Sequence, residues 1–144
     1  MLSAAAVVAC ALALLGESER TMPRIVLVDR PPPGSSANVE AFVRHADQTI
    51  YLMTSSPAFR EVQRSRHACG ELIPLKKLAS IIAHEEWHIR HGPDERAAYE
   101  AQLTTLIRLG VEPGSALYGS VVRSMQVVLK KRAQKPALVL AGNQ

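Results

Sequence analysis

Two histidines four residues apart, in the string His84-Glu85-Glu86-Trp87-His88, are the strongest chemical signal in the chain. On a helix this spacing puts them roughly 40° apart around the axis and one turn apart along it. Two imidazole nitrogens can then reach a single ion from one face. Zinc takes nitrogen and carboxylate ligands tetrahedrally, and a catalytic site keeps one position for water. The pattern therefore asks for a third ligand from elsewhere and a base beside that water. Glu85 fits the base: it adjoins a ligand but leaves the helix on a different bearing. The expected chemistry is peptide-bond hydrolysis with one Zn2+, Glu85 taking a proton from the water and returning it to the leaving amine.

The helical wheel bears on the same point. Leu75, Leu78, Ile81, Ile82 and Ile89 share one broad apolar face, and Glu85 falls inside that sector while Glu86 and Arg90 fall outside. A carboxylate on a buried face is costly without a partner or a task, and this kind of local inconsistency is what a functional site produces. For the third ligand, His91 would have to come from the same helix in poor tetrahedral geometry. The helix after Gly92-Pro93 is the better source. There Glu95, Ala98, Tyr99, Gln102, Leu106 and Leu109 form one inward stripe, Asp94 serves as the cap and Glu100 points away. The short turn packs the two helices antiparallel and returns Glu95 toward His84 and His88.

The stretch from Leu78 to His88, followed by Glu95-Arg96-Ala97-Ala98-Tyr99, resembles the gluzincin metallopeptidases, above all their minimal-domain and M48-like members. The resemblance covers about residues 48–109. It implies a zincin-like fold with His84, His88 and Glu95 as metal ligands and Glu85 as catalytic base. Many M48-like members carry an aspartate four residues after the third ligand. Here that position is Tyr99, which leaves open what holds the histidines from behind. By the same resemblance, Thr49 to Met53 is an edge strand along the cleft, able to pair with an extended peptide or protein substrate. The second donor for the oxyanion is sought among Tyr99, His91 and Tyr118. His45 and His67 are isolated and read as surface or core residues, Trp87 as wall packing.

Positioning these residues takes an α+β domain, strands first and helices after. Ile25 to Val28 reads as a strand, stopped by Asp29 and the Pro31-Pro32-Pro33-Gly34 breaker. Val39 to His45 and Thr49 to Thr54 flank Ala46-Asp47-Gln48 and predict a hairpin. Ser55-Ser56-Pro57 predicts a helix start, with the helix running to about Arg66. Pro74 opens the metal helix, which ends at His91. The next helix reaches Leu109, and a last one runs from Ser115 to about Arg132, with Leu117, Val121, Met125 and Val128 as its core stripe and a basic, solvated end.

The chain of 144 residues suffices for one domain with a real core. A net charge of +4 and six aromatic residues, with no zinc-finger spacing, give no case for nucleic-acid binding. Met1 to Leu15 is almost wholly apolar. It is too short for a confident span and reads as an export signal or anchor, with Val7-Val8-Ala9-Cys10 loosely like a lipoprotein box. A buried N-terminal helix is the competing reading. On the first view residues 1–23 form an N-terminal segment and linker, 24–135 the zincin-like domain and 136–144 a tail. The protein is then exported or membrane-associated through its N-terminus, and otherwise cytoplasmic. With Cys10 in that run, a disulfide is not expected, and Cys69 reads as a structural thiol. The alternative to an enzyme is a non-catalytic zinc-binding regulatory or interaction module on the same fold. Oligomeric state is not legible.

Overall fold

The computed structural model describes residues 1–35, 39–65, 67, 69–70 and 72–134. Helix α1 spans Ala4–Leu15, with Ser3 Oγ accepting from the Ala6 N–H at 3.1 Å and Gly16, at φ 69°, closing it in the left-handed conformation that favours glycine. The β-branched run becomes strand β1, Arg24–Val28, and the expected hairpin forms from β2, Ala41–Arg44, and β3, Thr49–Met53. Ser56 caps α2, Pro57–Gln63, which stops short of the expected Arg66 (a position outside the described residues). Then come α3, Leu72–His91, α4, Glu95–Arg108, and α5, Ala116–Gln134.

The sheet order is β1-β3-β2. β1 and β3 run parallel with Ile25 opposite Ile50 and Leu27 opposite Leu52, and β2 lies antiparallel to β3 with Val43 opposite Ile50. The expectation that Thr49–Met53 is an edge strand is therefore wrong: β3 is central and β2 is the edge. The parallel partner occupies β3's second side, and strand composition alone does not reveal that pairing. β3's greater burial follows from its place, with Ile50 and Leu52 fully buried.

One face of the sheet packs on helices. Ile50 and Leu52 meet Phe59 and Val62 of α2, Leu75, Leu78 and Ile82 of α3, and Val7, Ala11 and Leu12 of α1 in one cluster. The core thus runs across the boundary drawn at residue 23, and α1 is built into it. Tyr51 and Phe42 stack on the opposite sheet face at 5.0 Å. A second cluster joins α4 to α5 through Leu103, Leu106, Val111 and Val121, with Leu117 and Met125 packed on it. No helix among the described residues is long and apolar enough to cross a membrane.

Contrary to expectation, Cys10 and Cys69 form a disulfide, with Cα atoms 5.4 Å apart. Once α1 folds into the core, Cys10 faces the connector ahead of α3, where Cys69 sits at φ 57°. A thiol so engaged is not a lipidation site, so the lipoprotein-box reading of Cys10 fails on the same fact. Residues 135–144, the end of the domain and its tail as drawn from sequence, lie outside the described residues.

Candidate metal centre

α3 carries the two histidines because its apolar stripe holds it against both α1 and the sheet. Leu75, Leu78 and Ile82 are almost fully buried, which fixes the rotation of the helix and turns His84 and Glu85 inward. Pro74 stands in the first turn, where its missing N–H costs nothing. Gly92, at φ 115°, ends the helix. Asp94 then caps α4, its Oδ1 accepting from the Ala97 N–H at 3.2 Å, and Glu95 follows as the first helical residue. The reversal is as short as the sequence suggested. His84, His88 and Glu95 converge: one ligand atom from each lies within 4.8 Å of the others.

The ring nitrogens divide cleanly between two tasks. His84 Nδ1 lies 2.9 Å from Gln102 Oε1 and His88 Nδ1 lies 2.9 Å from the Gly92 carbonyl oxygen. Both partners are acceptors, so each Nδ1 carries the proton and each Nε2 presents a lone pair. Both Nε2 atoms face the same Glu95 Oε1, that of His84 at 3.2 Å, with that of His88 closer still. Three acceptor atoms aimed at one another require a cation or added protons between them. The donor set therefore fits a divalent metal, with two imidazoles and one carboxylate.

Gln102 is held in turn. Its Nε2 donates to Ser80 Oγ at 3.2 Å, and Ser80 Oγ donates its own proton to the Lys77 carbonyl at 2.7 Å. With its proton committed, Ser80 can only accept from Gln102, and the amide is oriented with its oxygen toward His84. Ser80 and Gln102 are both buried. Sequence reasoning put Gln102 on the inward stripe of α4 without giving it a role. The available signal was an amide on an apolar face one turn pair beyond Glu95. Gln102 behind His84 and the Gly92 carbonyl behind His88 together answer the question that Tyr99 raised about what holds the histidines.

The protons respond to this geometry. Burial pushes the Glu85 carboxyl up, against the opposing pull of His84 and His88. Glu95 is held well below the usual carboxylate range: its hydrogen bonds and charge interactions with the two histidines outweigh the burial that opposes them. Partial burial of His88 lowers its affinity for a proton, but its bonds to Glu95 and Gly92 prevail and raise it. The Tyr99 hydroxyl is pushed up to about 12 by burial and by the carboxylates of Glu95, Glu85 and Glu40.

His84, Glu85, His88 and Glu95 line a cleft of about 870 Å³. β2 forms one wall through Ala41, Phe42 and Val43, and α5 the other. Tyr99 lines the cleft with its ring edge-on to His84 at 4.5 Å. The other two candidate oxyanion donors are elsewhere. His91 stacks on Trp87 at 5.0 Å, beside a smaller pocket behind α3, and Tyr118 packs in the α4–α5 cluster. His45 reaches the cleft rim but joins no cluster of ligands among the described residues. Glu100 is exposed and takes no part, as expected.

No family profile, curated protein or solved structure matches the chain. The fold and the site's own residues define an α+β domain with a cluster of two histidines and a glutamate that could hold a metal ion.

Proposed function

We propose that the protein is a zinc-dependent peptidase of the gluzincin type, binding one Zn2+ through His84, His88 and Glu95. The observation that carries the reading is the meeting of three lone-pair atoms within 4.8 Å beside a buried glutamate that lines the same cleft. The ion would supply Lewis acidity, polarising the scissile carbonyl and acidifying water. Glu85 serves as general base, its elevated pKa suiting it both to accept the water proton and to release it to the leaving amine. Tyr99, which keeps its proton throughout the neutral range, donates to the oxyanion.

β2 supports a peptide as substrate. The Met53 N–H bonds the Glu40 carbonyl at 3.0 Å, so by strand alternation Glu40 and Phe42 turn their main-chain groups toward β3. Those of Ala41 and Val43 point away from β3, bond no other described residue, and could pair with an extended chain in the cleft. The Cys10–Cys69 bond favours an oxidising compartment, hence export.

The test combines metal analysis with a peptide-library assay. Wild type should carry one zinc per chain and cleave. Glu85→Gln should keep the zinc and lose about 10²- to 10⁴-fold in rate, the usual scale of general acid–base catalysis. Stoichiometric zinc with no turnover of any peptide would replace the enzyme by a zinc-binding module, and no zinc at all would remove both.

A further inference from the structure

We infer that the cleft selects acidic peptide segments, which Arg123, Lys131 and Arg132 of α5 grip along the wall facing β2. This rests on the proposal that the cleft takes peptides, and it names their chemical class. All three cations line the cleft. On the helix, Lys131 stands in line with Ser120, Ser124 and Val127 at the middle of the cleft-facing surface, and the two arginines flank it. Arg123 and Lys131 are eight residues apart, about 12 Å along the axis at 1.5 Å per residue. An extended peptide covers that distance in about four residues at 3.4 Å each. The cationic wall thus spans about four residues of an extended chain.

The charges around the cleft are unequal in their commitments. Among its carboxylates, Glu40 is paired with Lys77 at 3.4 Å, Glu95 belongs to the histidine cluster and Glu85 lies buried beside it. α5 has no Asp or Glu anywhere in its length. No described carboxylate lies within 4.0 Å of Arg123, Lys131 or Arg132. Arg123 folds back along its own helix, its Nη1 3.4 Å from where a Cβ on Gly119 would be, so the bare backbone there gives the guanidinium room. With a divalent ion offsetting Glu85 and Glu95, the cleft keeps a surplus of three positive charges. The cleft's aromatic residues, Phe42 and Tyr99, lie on the β2 wall and α4, so none is interleaved with the cations of α5 as a base-stacking strip would require.

Binding decides this without turnover. Zinc-loaded, full-length Glu85→Gln is titrated into two dye-labelled unstructured peptides of equal length, one rich in Asp and Glu, the other with Ser and Gln in their place, and anisotropy is read. The acidic peptide should bind about 10-fold tighter at 50 mM salt, with the difference shrinking at 500 mM as screening sets in. The triple variant Arg123→Gln, Lys131→Gln, Arg132→Gln should lose the preference while keeping its helix content and its zinc. Equal binding of the two peptides, or a preference that survives in the triple variant, overturns the inference. So does tighter binding to phosphatidylserine vesicles or to single-stranded DNA than to the acidic peptide. In a parallel assay wild type is given both peptides: cleavage of both at equal rates overturns the selectivity and keeps the peptidase, whereas acidic-selective binding with no cleavage keeps the selectivity and removes the peptidase.

Discussion

Replacing Gln102 with leucine should weaken zinc binding by about 10- to 100-fold, the range typical of lost outer-shell partners of metal-bound histidines. The structure explains the size. The substitution removes the oxygen 2.9 Å from His84 Nδ1, in a spot where His84 is buried and no other described acceptor is bonded to that nitrogen. A buried donor left without a partner costs about 1–3 kcal/mol, about 5- to 150-fold in an equilibrium constant. The ring avoids this cost by turning away or by moving its proton to Nε2, and either movement would take the lone pair from the proposed ion. Leucine fills nearly the same volume, and Ser80 keeps its bond to the Lys77 carbonyl, so the fold is largely spared. Ser80→Ala should act in the same direction but more weakly, since Gln102 is then free to present either end of its amide. The assay is a competitive zinc titration against a chromophoric chelator, with circular dichroism as the control for folding. Long-range ¹H–¹⁵N correlation spectra of the metal-free protein report the His84 tautomer directly. Unchanged zinc affinity in folded Gln102→Leu, with His84 still protonated at Nδ1, would refute the account.

Three other outcomes follow from the structure. Metal-free wild type should exceed Glu95→Gln in urea stability most between about pH 4.5 and 6.5: the lowered Glu95 contributes above its ordinary value of 4.5 and fades as pH falls toward its folded value, while the raised His88 contributes fully below 6.5 and fades as pH rises through its folded value. A difference that is flat with pH would dispose of this coupling. Reducing the Cys10–Cys69 bond, which closes a loop with a sequence separation of 59, should cost about 4 kcal/mol on the chain-entropy scale and lower Tm by roughly 10 °C, checked by calorimetry with and without reductant. Tyr99→Phe should lower kcat by about 10²-fold with little change in KM, and wild type should show no alkaline loss traceable to this hydroxyl below the region of its pKa of about 12; an equal rise in KM would show that Tyr99 holds the ground state instead.

The parts of this site legible in the sequence are those set by local geometry. His84 and His88 follow from helical spacing, Glu85 from its place in an apolar sector, and Glu95 from a short turn with a cap behind it. The α+β order and the hairpin also follow from local signals, turn residues and β-branched runs. What escaped depends on contacts between distant segments. The parallel pairing of β1 with β3 decides which strand is the edge, and nothing within Thr49–Met53 encodes it. Cys10 meets Cys69 only because α1 lies in the core, whereas its composition reads equally well as an export signal. Gln102 meets His84 through the crossing of α3 and α4, so its acceptor role is invisible until both helices are in place.

The backbone of Gly92 serves two partners at once. Its carbonyl receives His88 Nδ1 while its N–H closes the end of α3 on the His88 carbonyl at 2.9 Å. The same corner that reverses the chain thus anchors a proposed ligand, so binding of the proposed cation and helix fraying would share one equilibrium. Loading the ion should slow amide hydrogen exchange across residues 88–97 more than in the distant sheet, making the hinge itself a reporter of occupancy.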